Sequence, residues 1–420
     1  MTKNIILYVG TPPKENDAIR AYEKQSNRSF RVALLYDNKK SKRQNIKPQN
    51  FDICIPCNFN SIRSITKALI PYQDDLMVIT GIGEKSMPYL QKVIPYVPYL
   101  RTPTSESLGW STSKILMREH LQAYDTTLTP EFMVVRDITD KTIADIKNVV
   151  GFPLVIKPTG LAESLLVSIC YHEEELEHIL KKTFKKIKAV YKAVSGRGEP
   201  TVLVEQFMEG KMYSIDGYVN SRGATFFCPM VYVKTGRSIG FDDFFGYQQM
   251  TPTILTKESI DAAQGISKKA IKALCLRSTT VHIELMKTSN GWKVIELGPR
   301  KGGFRHQMYS LSYNINHTMN DILIRIPEKP IIPKKIKGYT AAMKFFAKKE
   351  GKLIKLTGLK KAEELKSFYS LKISKKLGEQ CRYAKHGGRS VFNIILFNPD
   401  RSKLLADIHR LEQMIKIETD

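Results

Sequence analysis

Val281-His-Ile-Glu-Leu-Met-Lys-Thr-Ser-Asn-Gly-Trp-Lys-Val-Ile-Glu-Leu297 reads as a β-hairpin with Ser289-Asn290-Gly291 at its tip. A three-residue loop ending in glycine predicts a type I turn closed by a left-handed residue. That register pairs Thr288 with Trp292 and, further from the tip, Glu284 with Glu296. Opposed residues share one face of a sheet, with Cβ atoms roughly 4.5–5.5 Å apart, and like charges so placed repel. A hard divalent cation between the two carboxylates removes the repulsion. Gly298-Pro-Arg-Lys-Gly-Gly303 follows at once and offers an arginine and two glycines where a backbone can approach an anion. The expectation is a metal–phosphate site built on Glu284 and Glu296, with Arg300, Gly302 and Gly303 beside it. Two solvated glutamates on an outer hairpin face are the plain alternative.

Working outward, four more pieces could serve a nucleotide triphosphate. Gly151-Phe-Pro-Leu-Val-Ile-Lys-Pro158 ends an apolar strand on Lys157, whose ammonium needs an anion if it is buried. Lys114 stands at the start of a helix introduced by the hydroxyls of Ser111-Thr-Ser113, and a helix N-terminus favours phosphate. Val204-Glu-Gln-Phe-Met208 leaves a strand and can present backbone groups of residues Glu205, Gln206, Phe207 and Met208 to an adenine edge. Arg300 is placed to hold a carboxylate or a phosphoryl group.

The surrounding chain alternates strands and helices over its first 100 residues. Strands are expected at Ile5–Val9, Arg31–Tyr36, Phe51–Pro56 and Leu76–Thr80, with helices at Asp17–Lys24, Ser61–Ile70 and Lys85–Val93. This pattern predicts a parallel sheet. Gly81-Ile-Gly83 lacks a third glycine and reads as a turn rather than a dinucleotide fingerprint. Glu84 lies in that turn, at the strand end where open α/β sheets bind ligands. Helices are expected at Ser111–Tyr124, Glu173–Lys188 and Gln264–Leu276, and Thr235–Gln249 reads as a loop over the site. The proline-rich Ile326–Pro333 reads as a linker. These features divide the chain into residues 1–110, 111–330 and 331–420, the last a small α+β unit with strands at Tyr339–Ala347 and Val391–Asn398.

Composition narrows the function classes. The chain has 420 residues, 42% of them hydrophobic, and six scattered cysteines. That is a globular composition with too few cysteines for a disulfide framework. Cys54-Ile-Pro-Cys57 continues an apolar strand and lacks a second pair to complete a zinc site. With no apolar run of about 20 residues, no membrane span is expected, and a cytoplasmic location is. The net charge of +25 attracts anions, nucleotides included. The lysine clusters at 39–43, 181–188 and 334–337 also suit solvated faces, so nucleic acid is the outlying partner.

In order and spacing these motifs resemble the ATP-grasp superfamily, and within it the carboxylate–amine ligases. The resemblance rests on Lys114-Ile-Leu-Met-Arg118 with Thr129-Pro130, on Gly151–Pro158, on Val204–Gly210 with Tyr213-Ser-Ile-Asp216, and on His282–Glu284 through Val294–Gly303. It implies an ATP-grasp fold, α/β and α+β, with an N-terminal parallel α/β domain and a small C-terminal α+β domain. It implies that Lys114 and Lys157 contact ATP phosphates, that Glu205–Met208 holds adenine, and that Glu284 and Glu296 bind Mg2+, with Mn2+ as a substitute. Arg300 would face the substrate carboxylate or acyl phosphate, with Gly302 and Gly303 alongside. Glu84 and His306 are candidates to touch the amine. The implied partners are a small carboxylate, an amine and a second copy of the chain. Other ATP-grasp chemistry, such as bicarbonate activation or purine-type ligation, and a non-catalytic nucleotide-binding role are the alternatives. Three departures stand out: Gly298 where the family often has Asn, a single glycine in Thr159–Ser164, and Met212 where a ribose-binding Glu is common. Glu205 or Asp216 would then substitute at the ribose.

Overall fold

The computed structural model describes residues 3–13, 16–39, 51–160, 165–194 and 201–420. Strands β1 (Ile5–Val9), β2 (Arg31–Asp37), β3 (Ile53–Cys57) and β4 (Leu76–Thr80) form a parallel sheet in the order β3-β2-β1-β4. β1 is fully buried, as a strand covered on both faces must be. One face carries Leu7, Leu35, Ile65 and Leu90. The other carries Ile6, Tyr8 and Leu34, and is covered by Met319, Ile322 and Leu323 from a helix that follows the hairpin. Residues distant in sequence therefore lock this sheet to the rest of the chain.

A second sheet, antiparallel, contains β5 (Phe132–Val135), β6 (Leu154–Pro158), β7 (Ser168–Cys170) and β8 (Val202–Gln206), in the order β5-β8-β6-β7. The helix Glu173–Val194 packs on it through Leu176, Leu180 and Ile187.

The central sheet begins with β9 (Lys211–Val219), β10 (Thr225–Phe227), β11 (Val231–Thr235), β12 (Gly246–Thr251), β13 (Thr279–Thr288), β14 (Gly291–Gly298) and β15 (Tyr339–Phe345). The chain continues with β16 (Gly351–Thr357), β17 (Phe368–Ile373), β18 (Gln380–Cys381), β19 (Phe392–Asn398) and β20 (Lys416–Thr419). The order β14-β13-β9-β11-β12-β15-β19-β17, with β10 beside β9, makes nine strands. β16, β18 and β20 form a separate small sheet. The α+β character of residues 331–420 is present, but three of its strands extend the central sheet through the β12–β15 pairing.

Three local expectations change. Thr235–Gln249 is not all loop, because Gly236–Ile239 makes a 3-10 turn and β12 starts at Gly246. The helix expected at Gln264–Leu276 runs from Lys257 to Ala273, and begins where the Thr256 side chain accepts from the Ser259 amide. The helix expected at Ser111–Tyr124 is two helices, Ser105–Thr112 and Lys114–Tyr124, broken at Ser113. Ser113 takes an extended backbone and caps the second helix, so Lys114 is its first residue.

Candidate functional site

The hairpin pairs Glu284 with Glu296, but by a different route from the one its sequence suggests. Thr288 pairs with Gly291 across a two-residue turn, and the register shifts by one between Glu284 and Leu285. Ile295 is the extra residue, a β-bulge. Without it Glu296 would fall on the opposite face from Glu284. Leu285, Val294 and Leu297 enter the core, while both glutamates remain partly exposed on the other face.

Lys114 brings its ammonium to 3.4 Å from each oxygen of Glu296. Burial works against its charge, but the carboxylates of Glu296, Glu84 and Glu205 outweigh this and raise its pKa. Arg300 follows β14 and reaches back to Glu84, just past the end of β4, with Nη2 2.8 Å and Nε 2.9 Å from Oε1. Although burial opposes it, Glu84, Glu296 and Glu284 raise the Arg300 pKa. Burial would raise the Glu284 carboxyl, yet His282 and the two arginines 300 and 305 hold it low. Three carboxylates and two cations thus meet at the edge between the parallel sheet and the hairpin.

Gly298 has a steric reason. A Cβ there would lie 3.2 Å from Glu84 Oε1 and 3.5 Å from Arg300 Cζ. Gly302 is tighter still, since its Cβ would meet His282 Nδ1 at 2.5 Å and Arg305 Cγ at 2.7 Å. His306, on the next helix, contacts the Thr318 hydroxyl at 3.3 Å. Lys301 donates to the same hydroxyl at 2.8 Å.

Across the helix Lys114–Tyr124 stand the ends of β6 and β8. Lys157 donates to Glu205 Oε2 at 2.5 Å. Arg118, fully buried, donates from Nε to Glu205 Oε1 at 2.7 Å and from Nη2 to Oε2 at 3.2 Å. Burial raises the Glu205 carboxyl, but Arg118 and Lys157 overcome it and hold the carboxyl down to about 2. The Gln206 and Phe207 amides bond to the carbonyls of Glu131 and Pro153, whereas the Met208 amide has no partner among the described residues.

The two alternative ribose candidates, Glu205 and Asp216, both lie inside networks of the chain's own side chains. Glu205 is closed off by Arg118 and Lys157, so its carboxylate is an internal ion-pair member. Asp216 has no exposed surface. It bonds His282 Nδ1 at 2.7 Å, His317 Nε2 at 2.9 Å and the Gly302 amide at 2.9 Å. Its carboxyl lies well below the ordinary range, because His282 and His317 outweigh the burial. Residues 161–164 of the expected phosphate loop, and basic residues 40–43, lie outside the described residues. Cys54 and Cys57 lie on β3.

The residues fit a divalent cation that shares its shell with phosphate. Among the described residues no three potential ligand side chains form a cation site by themselves. Two carboxylates are the protein contribution Mg2+ takes when phosphate oxygens and water supply the rest. No role for Arg118, His282 or Arg305 follows from the residue pattern alone. The available signal was Arg118 four residues after Lys114, a charge on the apolar side of its helix.

Residues 150–308 match the family model described as the ATP-grasp domain. The chain is 26% identical over 280 residues to the uncharacterized protein y4rH of Sinorhizobium fredii, covering 64% of this chain and 53% of that one. It is 26% identical over 151 residues to the alanine–anticapsin ligase of Bacillus subtilis, covering 34% and 31%. It spans about half or less of the length of these curated relatives. The crystal structure of an L-amino acid ligase from Bacillus licheniformis superposes with a TM-score of 0.77 at 18% identity, covering 99% of each chain.

Proposed function

We propose that this chain, an ATP-grasp protein by its fold and by its match over residues 150–308, is an ATP-dependent carboxylate–amine ligase. It forms an amide or peptide bond through an acyl phosphate and releases ADP and phosphate. One observation carries the reading: Glu284 and Glu296 oppose each other on one sheet face, with Lys114 against Glu296 and Arg300 held on Glu84 at the same edge.

Each residue then has a task. Lys114 and Lys157 meet the phosphates, the first from a helix N-terminus and the second from its contact with Glu205. The Met208 amide is an unused donor for the adenine edge. Glu284 and Glu296 would hold a divalent cation, which would supply charge neutralisation at the phosphates. Arg300 orients the substrate carboxylate so that its oxygen attacks the γ-phosphorus and the bond to the β–γ bridging oxygen breaks. Its positive charge also stabilises the transferring group. The amine then attacks the acyl carbon, phosphate leaves, and the amine proton is lost. Glu84 and His306 border the space from which the amine approaches. Among the described residues no helix is long and apolar enough to cross a membrane, and a cytoplasmic location fits an ATP-using enzyme with few, scattered cysteines.

The test is phosphate and ADP release with a panel of amino acids and small carboxylates, together with bicarbonate, at fixed Mg2+. Release that needs both an acid and an amine supports the ligase. Release with bicarbonate alone points to the other ATP-grasp chemistry. Absence of metal-dependent ATP binding rejects both.

A further inference from the structure

Arg118 joins two halves of the site that the sequence separates. Beyond its two bonds to Glu205, its Nη1 donates to the Val294 carbonyl at 2.9 Å and its Nη2 to the Ile295 carbonyl at 2.8 Å. Val294 and Ile295 stand at the bulge of β14, the edge strand of the central sheet, and a bulge locally disrupts the ladder. One planar guanidinium therefore caps the irregularity that turns Glu296 toward Glu284. Through Glu205 the same group sets the anchor of Lys157.

We infer that Arg118 is a positioning residue for the cation: it holds the Ile295 bulge, and so fixes the separation of Glu284 and Glu296, without touching substrate. The inference rests on the ligase reading above and adds what sets its metal affinity. A lysine cannot substitute, because one ammonium does not span two carbonyls and a carboxylate in a fixed fork. Once the fork is lost, the buried Val294 carbonyl and the half-buried Ile295 carbonyl lose their donor, and the hairpin relieves this by altering the local register or twist. Either change moves Glu296 relative to Glu284. The effect expected is that of losing an outer partner of a metal ligand, roughly 10- to 100-fold in metal affinity.

The experiment is calorimetric titration of ADP into the full-length chain at stepped MnCl2 concentrations, with thermal melting in parallel. Wild type should bind ADP more tightly as Mn2+ rises. Arg118→Lys should melt cooperatively and need at least tenfold more Mn2+ for half-maximal ADP affinity. Glu205→Gln, which frees one side of the fork, should shift the requirement in the same direction by a smaller factor, and it carries the test if Arg118→Lys does not fold. A folded variant with the wild-type Mn2+ requirement overturns the inference, even if its melting temperature falls, because that is the mark of a purely structural arginine. Wild type with no Mn2+-dependent ADP binding overturns the ligase reading, and the inference with it.

Discussion

Arg300 donates from both Nε and Nη2 to the same oxygen of Glu84, at 2.9 and 2.8 Å, across 216 positions of sequence. The pair ties the outlet of the parallel sheet to the end of the β13–β14 hairpin, and Gly298 leaves the room for it. In the proposed reaction, a carboxylate approaching Arg300 would have to share or displace this contact.

Glu84→Gln should therefore act on substrate and not on nucleotide. Weakening the ion pair leaves Arg300 less fixed, so KM for the carboxylate or amine should rise about tenfold, the scale of a charge-assisted hydrogen bond. ADP affinity at saturating Mg2+ should stay within a factor of about three of wild type. Steady-state kinetics and calorimetry on the same preparation check both. An ADP affinity that falls with KM would place Glu84 at the nucleotide instead.

Glu296→Gln keeps shape and removes charge. It should lower turnover by a factor of about 100 or more, the size of effect seen when one charge-stabilising group leaves a transition state. The side chain is partly exposed, so the melting temperature should move little. Near-normal ADP release from this variant would refute the metal role.

Gly302→Ala tests the packing of the loop behind Arg300. The added methyl would lie 2.5 Å from His282 Nδ1 and 2.7 Å from Arg305 Cγ, both on buried side chains. Overpacking of this kind costs about 1–3 kcal/mol. Urea denaturation should show that loss, and turnover should fall because the Gly302 amide leaves Asp216. Wild-type stability would mean that the loop relaxes freely.

Acid stability should report on Glu205. Its folded pKa of about 2 lies below the ordinary value of 4.5, so the unfolded chain binds more protons between the two. The stabilisation is present above pH 4.5 and is lost as pH falls from 4.5 toward 2. At one pKa unit per 1.36 kcal/mol, the part due to this group is roughly 3 kcal/mol. Wild type minus Glu205→Gln, measured by denaturation between pH 6 and 3, should shrink as pH falls. A difference independent of pH would remove the ion-pair explanation.

Much of the fold was legible because it depends on local pattern. β1, β2 and β4 are apolar runs of strand length separated by helical periodicity, and such runs fold alike in most contexts. Burial of the strand carrying Lys157 and the N-terminal position of Lys114 follow from capping and strand patterning alone. The joining of residues 331–420 to the central sheet was not legible, because strand partners are chosen by tertiary packing rather than by propensity.

The site divides in the same way. Sequence alone determined which acids and bases are present and that Glu284 and Glu296 belong to one hairpin, since side-chain alternation along paired strands is a local property. Only the tertiary structure decided that a two-residue turn and a bulge at Ile295, capped by Arg118, bring those acids face to face. It also decided that Glu205 and Asp216 are closed inside ion-pair and hydrogen-bond networks. A carboxylate's role depends on which donors surround it, and those donors come from segments up to about a hundred residues away that meet only when the chain is folded.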